Sequence, residues 1–349
     1  MNFASDNWAG CAPEIAAAIA AENDRVAPAY GSDPITKAVE RKFAEVFEHE
    51  VAVFFVPTGT AANALALSAF ARPSGLAFLH HEAHANTDEA GAPEFLADLK
   101  LIGLDGPGAK IRRDSLAAAI ERYAPNAGRH GQPVALSLSQ LTECGTAYAV
   151  PETAALAALA HEAGLGVHMD GARFGNAVEG LGMSPAEMTW KAGVDVLSFG
   201  GTKGGCWQAE AVIFFDPARA REFPYLRKRA GHTVSKARFV AAQFAAYLED
   251  DLWLRLAARA NASAAALAAG IEAAGGRLAW PREGNEVFAV LHESVIAELK
   301  RAGAAFYDWQ AEEAGVGADE GLVRLVCSFA TTGEEVERFL ATIMKGWTA

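Results

Sequence analysis

Lys203 stands alone among glycines. The run Ser198-Phe199-Gly200-Gly201-Thr202-Lys203-Gly204-Gly205 follows an apolar stretch that starts at Val194, so a buried strand is predicted to empty into a loop carrying one amine. Glycines on both sides permit close backbone approach, which suits an amine presented to a ligand; on its own, the lysine reads first as a solvated turn residue. An amine that loses its proton through burial or neighbouring cations can form a Schiff base. Thr58-Gly59-Thr60 lies at a predicted strand-to-helix turn. Free amides, the helix dipole and two hydroxyls can hold a phosphate there, or the first threonine can simply cap the helix. In His168-Met169-Asp170-Gly171-Ala172-Arg173 an apolar strand ends in a carboxylate, which needs a cation or a donor once it leaves water. Arg173 either is that cation or receives a ligand carboxylate in bidentate fashion, leaving Asp170 to hold a protonated ring nitrogen.

The elements that must position these residues follow from the hydrophobic pattern. A short helix is predicted at 13–20, turn chemistry at Tyr30-Gly31-Ser32-Asp33-Pro34, and an amphipathic helix at 36–48. Apolar runs at 51–55, 76–80, 100–104, 134–138, 166–169, 194–199 and 211–215 then alternate with helical patterns such as 61–70 and 151–163. That order predicts an α/β fold: a large domain with a mostly parallel sheet flanked by helices. From about residue 217 the pattern changes. An alanine-rich helical stretch at 235–274 leads to strands at 287–291, 306–309 and 323–327 and helices at 294–302 and 333–345, a small C-terminal α+β domain. The predicted division is 1–234 for the N-terminal segment and large domain, and 235–349 for the linking helix and small domain. Lys203 follows Asp170 by 203 − 170 = 33 residues, room for a crossover helix and the next strand. All three stretches therefore fall at strand ends, where such sheets bind ligands. A phosphate cradle, a carboxylate for a ring nitrogen and a Schiff-base lysine are together what pyridoxal 5'-phosphate requires.

Composition narrows the class. The 349 residues are 51% hydrophobic and 21% charged, ordinary for a globular enzyme, and the net charge of −13 comes with no basic cluster able to track a phosphate backbone, so nucleic acid is not expected as a partner. No apolar run approaches a membrane span, and Met1-Asn2-Phe3-Ala4-Ser5-Asp6 lacks a signal core, so a cytoplasmic protein is expected. Cys11, Cys144, Cys206 and Cys327 are scattered, which reads as reduced thiols with no metal site.

In order along nearly the whole chain, Ser5-Asp6-Asn7, Tyr30-Gly31-Ser32-Asp33, Thr58 to Asn63, His84 with Asp88-Glu89-Ala90-Gly91-Ala92, His168 to Arg173, Ser198 to Lys203 and Arg324-Leu325-Val326-Cys327 resemble the threonine aldolases. These are fold-type I pyridoxal-phosphate enzymes grouped with the β-eliminating lyases. The resemblance implies retro-aldol cleavage of a β-hydroxy-α-amino acid to glycine and an aldehyde, with β-elimination, transamination or racemisation as the alternatives on this scaffold. It implies that Lys203 is the Schiff-base lysine, that Asp170 pairs with the pyridine nitrogen, and that Gly59 and Thr60 hold the phosphate. His84 would stack on the cofactor and act as a base; Ser5, Arg173 and Arg324 would bind the substrate carboxylate. Tyr30 would arrive from a second subunit of a homodimer or homotetramer with shared sites. Two departures stand out. Thr142-Glu143 occupies the loop where many relatives carry a histidine followed by an asparagine. Gly231-His232-Thr233-Val234-Ser235-Lys236 replaces a glycine-rich run with an arginine, so Lys236 is the candidate for that charge near the phosphate.

Overall fold

The computed structural model describes residues 1–123 and 129–346. Seven strands, β1 (Ala52–Val56), β2 (Gly75–His80), β3 (Leu99–Leu104), β4 (Gln132–Ser139), β5 (Gly166–Gly171), β6 (Val196–Gly200) and β7 (Glu210–Phe214), form one sheet in the order β1-β7-β6-β5-β4-β2-β3. β3, β2, β4, β5 and β6 run parallel, and β7 lies antiparallel between β6 and β1. The reversal has a local cause. Parallel neighbours need a crossover of a dozen or more residues, whereas only residues 201–209 separate β6 from β7, so the chain turns straight back. Lys203 rides on that turn.

Strands β2, β5, β6 and β7 are buried at every residue, as a sheet covered on both faces requires. Beneath β6, Phe199 packs edge-on against Phe43 at a centroid distance of 5.3 Å and lies 5.7 Å from Trp253, within a cluster that includes Phe174, Phe244 and Tyr247. Truncating such a ring costs roughly 3–5 kcal/mol, so the strand that delivers Lys203 is held stiffly.

A second sheet, β10-β11-β9-β8, is antiparallel and comprises β8 (Arg277–Leu278), β9 (Glu286–His292), β10 (Tyr307–Trp309) and β11 (Glu320–Val326). The seam between the two cores differs from the predicted break at residue 235. Helix Arg238–Leu248 buries Val240, Phe244 and Tyr247 in the large core, and helix Leu252–Ala273 gives Trp253 and Leu256 to that core but Leu267 and Ile271 to the small one. Alanine-rich composition hides this, because the break at Glu249-Asp250-Asp251, where both aspartates have positive φ, carries no glycine or proline. The N-terminus also crosses over: Phe3 is buried in the small core and its backbone bonds Ala305 and Val326 at 2.8 Å each. No helix among the described residues is long and apolar enough to cross a membrane.

Candidate functional site

The carboxyl ends of β4, β5 and β6 meet in register, Ser139 beside Asp170 and Asp170 beside Ser198. Above them opens a cleft of about 690 Å³, walled by the large domain on one side and by Glu286, Tyr307, Trp309 and Arg324 of the small domain on the other. Lys203, Asp170, Arg173, His84, Gly59, Thr60, Ser5 and Arg324 all line it. Eight of the ten residues singled out from sequence are thus gathered in one cleft. The other two, Tyr30 and Lys236, are exposed outside it. They neighbour each other instead: the Tyr30 amide donates to Ser235 O at 2.9 Å, and Lys228 sits 5.2 Å from the Tyr30 ring centre. Within one chain Lys236 therefore supplies no charge at the phosphate position, because the loop that carries it packs beside the Tyr30 turn.

The lysine loop is shaped by exclusion. A Cβ on Gly201 would stand 2.6 Å from Ala209 O, and one on Gly204 would overlap the Tyr247 hydroxyl. Glycine is required there for space. Burial, with Arg173 nearby, lowers the pKa of Lys203 despite opposing attraction from Asp6, Asp170 and Glu286, which favours the neutral, nucleophilic amine.

Asp170 is held by two donors: Asn63 Nδ2 at 2.8 Å and the Ala172 amide at 3.0 Å. Asn63 Nδ2 also donates to Glu89 Oε1 at 2.8 Å, and that same oxygen lies 3.0 Å from His84 Nδ1. The bond to Glu89 raises the pKa of His84 against the effect of burial, while burial raises Glu89 itself, so the pair competes for a proton. His168, next but one to Asp170, has a different part: it is fully buried between Ser137 and Ser198 at 2.9 Å each, and burial drives its pKa down to about 4. It is a neutral structural residue under the sheet.

On the far side the charges alternate. Arg173 makes a bidentate pair with Asp6, 2.8 and 3.0 Å, and reaches Glu286 Oε2 at 3.3 Å; Glu286 Oε1 accepts from Arg324 Nη2 at 2.8 Å. Burial pushes Asp6 upward, yet Arg173 and Lys203 win and hold its carboxyl below the usual range. Sequence reading missed Glu286 altogether, since nothing in Asn285-Glu286-Val287 marks a strand end that will face two arginines 113 and 38 residues away (286 − 173 = 113; 324 − 286 = 38). It also missed Glu210, at the start of β7, whose pKa burial raises to about 7 although Thr202 donates to it.

At the cleft's other end the helix Gly59–Ser68 begins. Thr58 Oγ1 accepts the Ala61 amide at 3.1 Å and Thr58 O takes that of Ala62, so the amides of Gly59 and Thr60 precede the first intrahelical bond. A Cβ on Gly59 would meet nothing within 4 Å, which leaves open space over those amides. Free amides at a helix N-terminus facing open space can seat an anion. Free amides, carboxylate and a lysine of lowered pKa share one cleft, and their chemistry fits a phosphorylated pyridine aldehyde.

Residues 2–294 match the beta-eliminating lyase family. Over 346 residues the chain is 42% identical to the low specificity L-threonine aldolase of Pseudomonas aeruginosa, covering 98% of this chain and 97% of that one. The chain belongs to the threonine aldolase and beta-eliminating lyase family. The corresponding enzyme of Pseudomonas sp. is 40% identical over the same length. Threonine aldolase of Leishmania major superposes with a TM-score of 0.92 at 29% identity, over 99% of this chain and 98% of that one. Serine palmitoyltransferase of Sphingomonas wittichii, 18% identical with a TM-score of 0.73, shares the fold over 100% of this chain and 87% of its own. The family and these fold-type I neighbours are pyridoxal-phosphate enzymes.

Proposed function

We infer that this protein is a threonine aldolase, a carbon–carbon lyase that cleaves β-hydroxy-α-amino acids to glycine and an aldehyde with pyridoxal phosphate in the cleft. The observation that carries the reading is the common wall on which a buried lysine of lowered pKa, a twice-bonded aspartate and an open helix N-terminus face two arginines. Gly59 and Thr60 would seat the phosphate, Asp170 would keep a proton on the ring nitrogen, and Lys203 offers the amine. The cofactor supplies the electron sink for the pair left on the substrate's α-carbon. Arg173 and Arg324, with Ser5 at the same end, receive the α-carboxylate, which takes the place Glu286 holds between the two guanidiniums. His84 and Glu143 line the same cleft and would face the β-carbon of a substrate held by its carboxylate and amine.

Tyr30 and Lys236 share an exposed face, which supports a role in the cleft of a second copy. Four unpaired cysteines, three of them buried, suit a reducing compartment such as the cytoplasm. A panel of threonine, allo-threonine and phenylserine tests the reading: glycine and aldehyde should appear in equal amounts. Release of ammonia and a keto acid instead would favour β-elimination. Lys203→Ala should lose the absorbance of the bound cofactor and at least roughly a thousandfold in turnover.

A further inference from the structure

A carboxylate oxygen with no donor is buried beside the cleft. Glu143 stands in the loop after β4, where Ser139 Oγ and the His84 amide each donate to its Oε1 at 2.8 Å. Its Oε2 is buried and has no hydrogen-bond partner. Two anchors thus fix the carboxyl group and leave one oxygen for something the chain does not provide. Glu143 also lines a second cavity of about 410 Å³, and Trp309 is shared between the two. Glu143 and Trp309 therefore stand between the two spaces.

Resting on the aldolase reading above, we propose that Glu143 accepts the proton of the substrate's β-hydroxyl. The O–H bond breaks and its proton goes to Oε2, while its electron pair becomes the second bond of the aldehyde carbonyl. The Cα–Cβ bond breaks with its pair kept on Cα, for which pyridoxal phosphate is the sink, and a proton returned to Cα completes glycine. No oxidation or reduction is involved. Burial, aided by the charge of Asp170, raises the pKa of Glu143 to about 7 in spite of its two donors, the range a base needs at neutral pH. The charged and titratable groups around it are Asp170 and Arg173 at and after the end of β5, His84 and Glu82 from the loop after β2, Cys144 and Tyr148 from its own loop, and His80, His81, Glu312 and Glu313 around the second cavity. His84 is the rival acceptor. Its hydrogen bond to Glu89 raises its proton affinity and occupies Nδ1, whereas Oε2 of Glu143 has no partner.

The test compares holoenzyme with Glu143→Gln, whose amide oxygen can still accept from Ser139 and His84 but cannot take a proton. The variant should keep the cofactor spectrum and the exchange of glycine's α-proton with solvent. Its cleavage of phenylserine should fall by roughly a hundredfold or more, and the limb of kcat/KM that rises through about pH 7 should vanish. Glu143→Asp should retain that limb with reduced kcat. Independently of turnover, isotope-edited infrared spectra should show a carboxyl band that titrates near neutrality in the wild type and is lost in Glu143→Gln. Cleavage by Glu143→Gln within threefold of the wild type, persistence of the limb, absence of the band, or loss of α-proton exchange along with cleavage would each overturn the proposal. A wild type that releases no glycine from any member of the panel would instead refute the aldolase reading.

Discussion

Two walls of the cleft solve the burial of charge in opposite ways. On the substrate-carboxylate side, Asp6, Arg173, Glu286 and Arg324 alternate in sign and every neighbour is a partner. On the other side, Asp170, Glu89, Glu143 and Glu210 are acids with few cations between them, and burial raises the pKa of the last three. Pairing fixes charge, whereas burial without a cationic partner traps protons. The first arrangement suits a surface that must bind an ion, and the second suits one that must exchange protons.

The sharpest way to break the contrast is to unpair the alternating wall. Arg173→Ala leaves Asp6 buried without its guanidinium partner and Glu286 with Arg324 alone, so it should destabilise the fold by about 3–5 kcal/mol in denaturant titrations as well as abolish turnover. On the acid wall, Asp170→Asn keeps the shape and the bond from Asn63 yet loses the charge. It should reduce kcat by roughly a hundredfold to a thousandfold with an unchanged melting temperature, and a drop in stability as large as that of Arg173→Ala would erase the distinction. Glu143→Gln tests the pH behaviour of crowding. With a native pKa of about 7 against 4.5 when unfolded, ionisation of Glu143 costs stability as pH rises from 4.5 to 7. The variant should match the wild type at pH 4 and melt about 2–5 °C higher at pH 8. Smallest of all, Glu286→Gln should weaken the internal competitor for the two arginines and lower KM by about twofold to fivefold with little change in kcat; a raised KM would show that Glu286 chiefly orients them.

Much of this was legible before any coordinates. Short apolar runs marked all seven strands of the large sheet, and strand-end position gave Lys203, Asp170 and Gly59 their meaning. What the sequence concealed depends on distance along the chain. Asp6 pairs with Arg173 across 167 residues and Asn285 reaches Asp6 across 279. No local pattern encodes such contacts. Asn63 sat within a recognised motif, but its link between Asp170 and Glu89 follows only from the helix facing the end of β5. Glu143 was visible merely as a departure, because the burial that gives it a near-neutral pKa is a property of the assembled loop. The seam between the domains escaped for a simpler reason: one alanine-rich helix serves both cores.

The glycine loop also bears on how this protein can diversify. Around Lys203, side chains at 201 and 204 would strike backbone or the Tyr247 hydroxyl, so that turn tolerates almost no substitution and cannot be where new substrate preferences arise. Tyr307 and Trp309, on an edge strand of the small sheet, face the same cleft with partly exposed side chains. Random mutagenesis followed by selection on new aldehydes should therefore leave the lysine turn untouched and accumulate its changes along that edge.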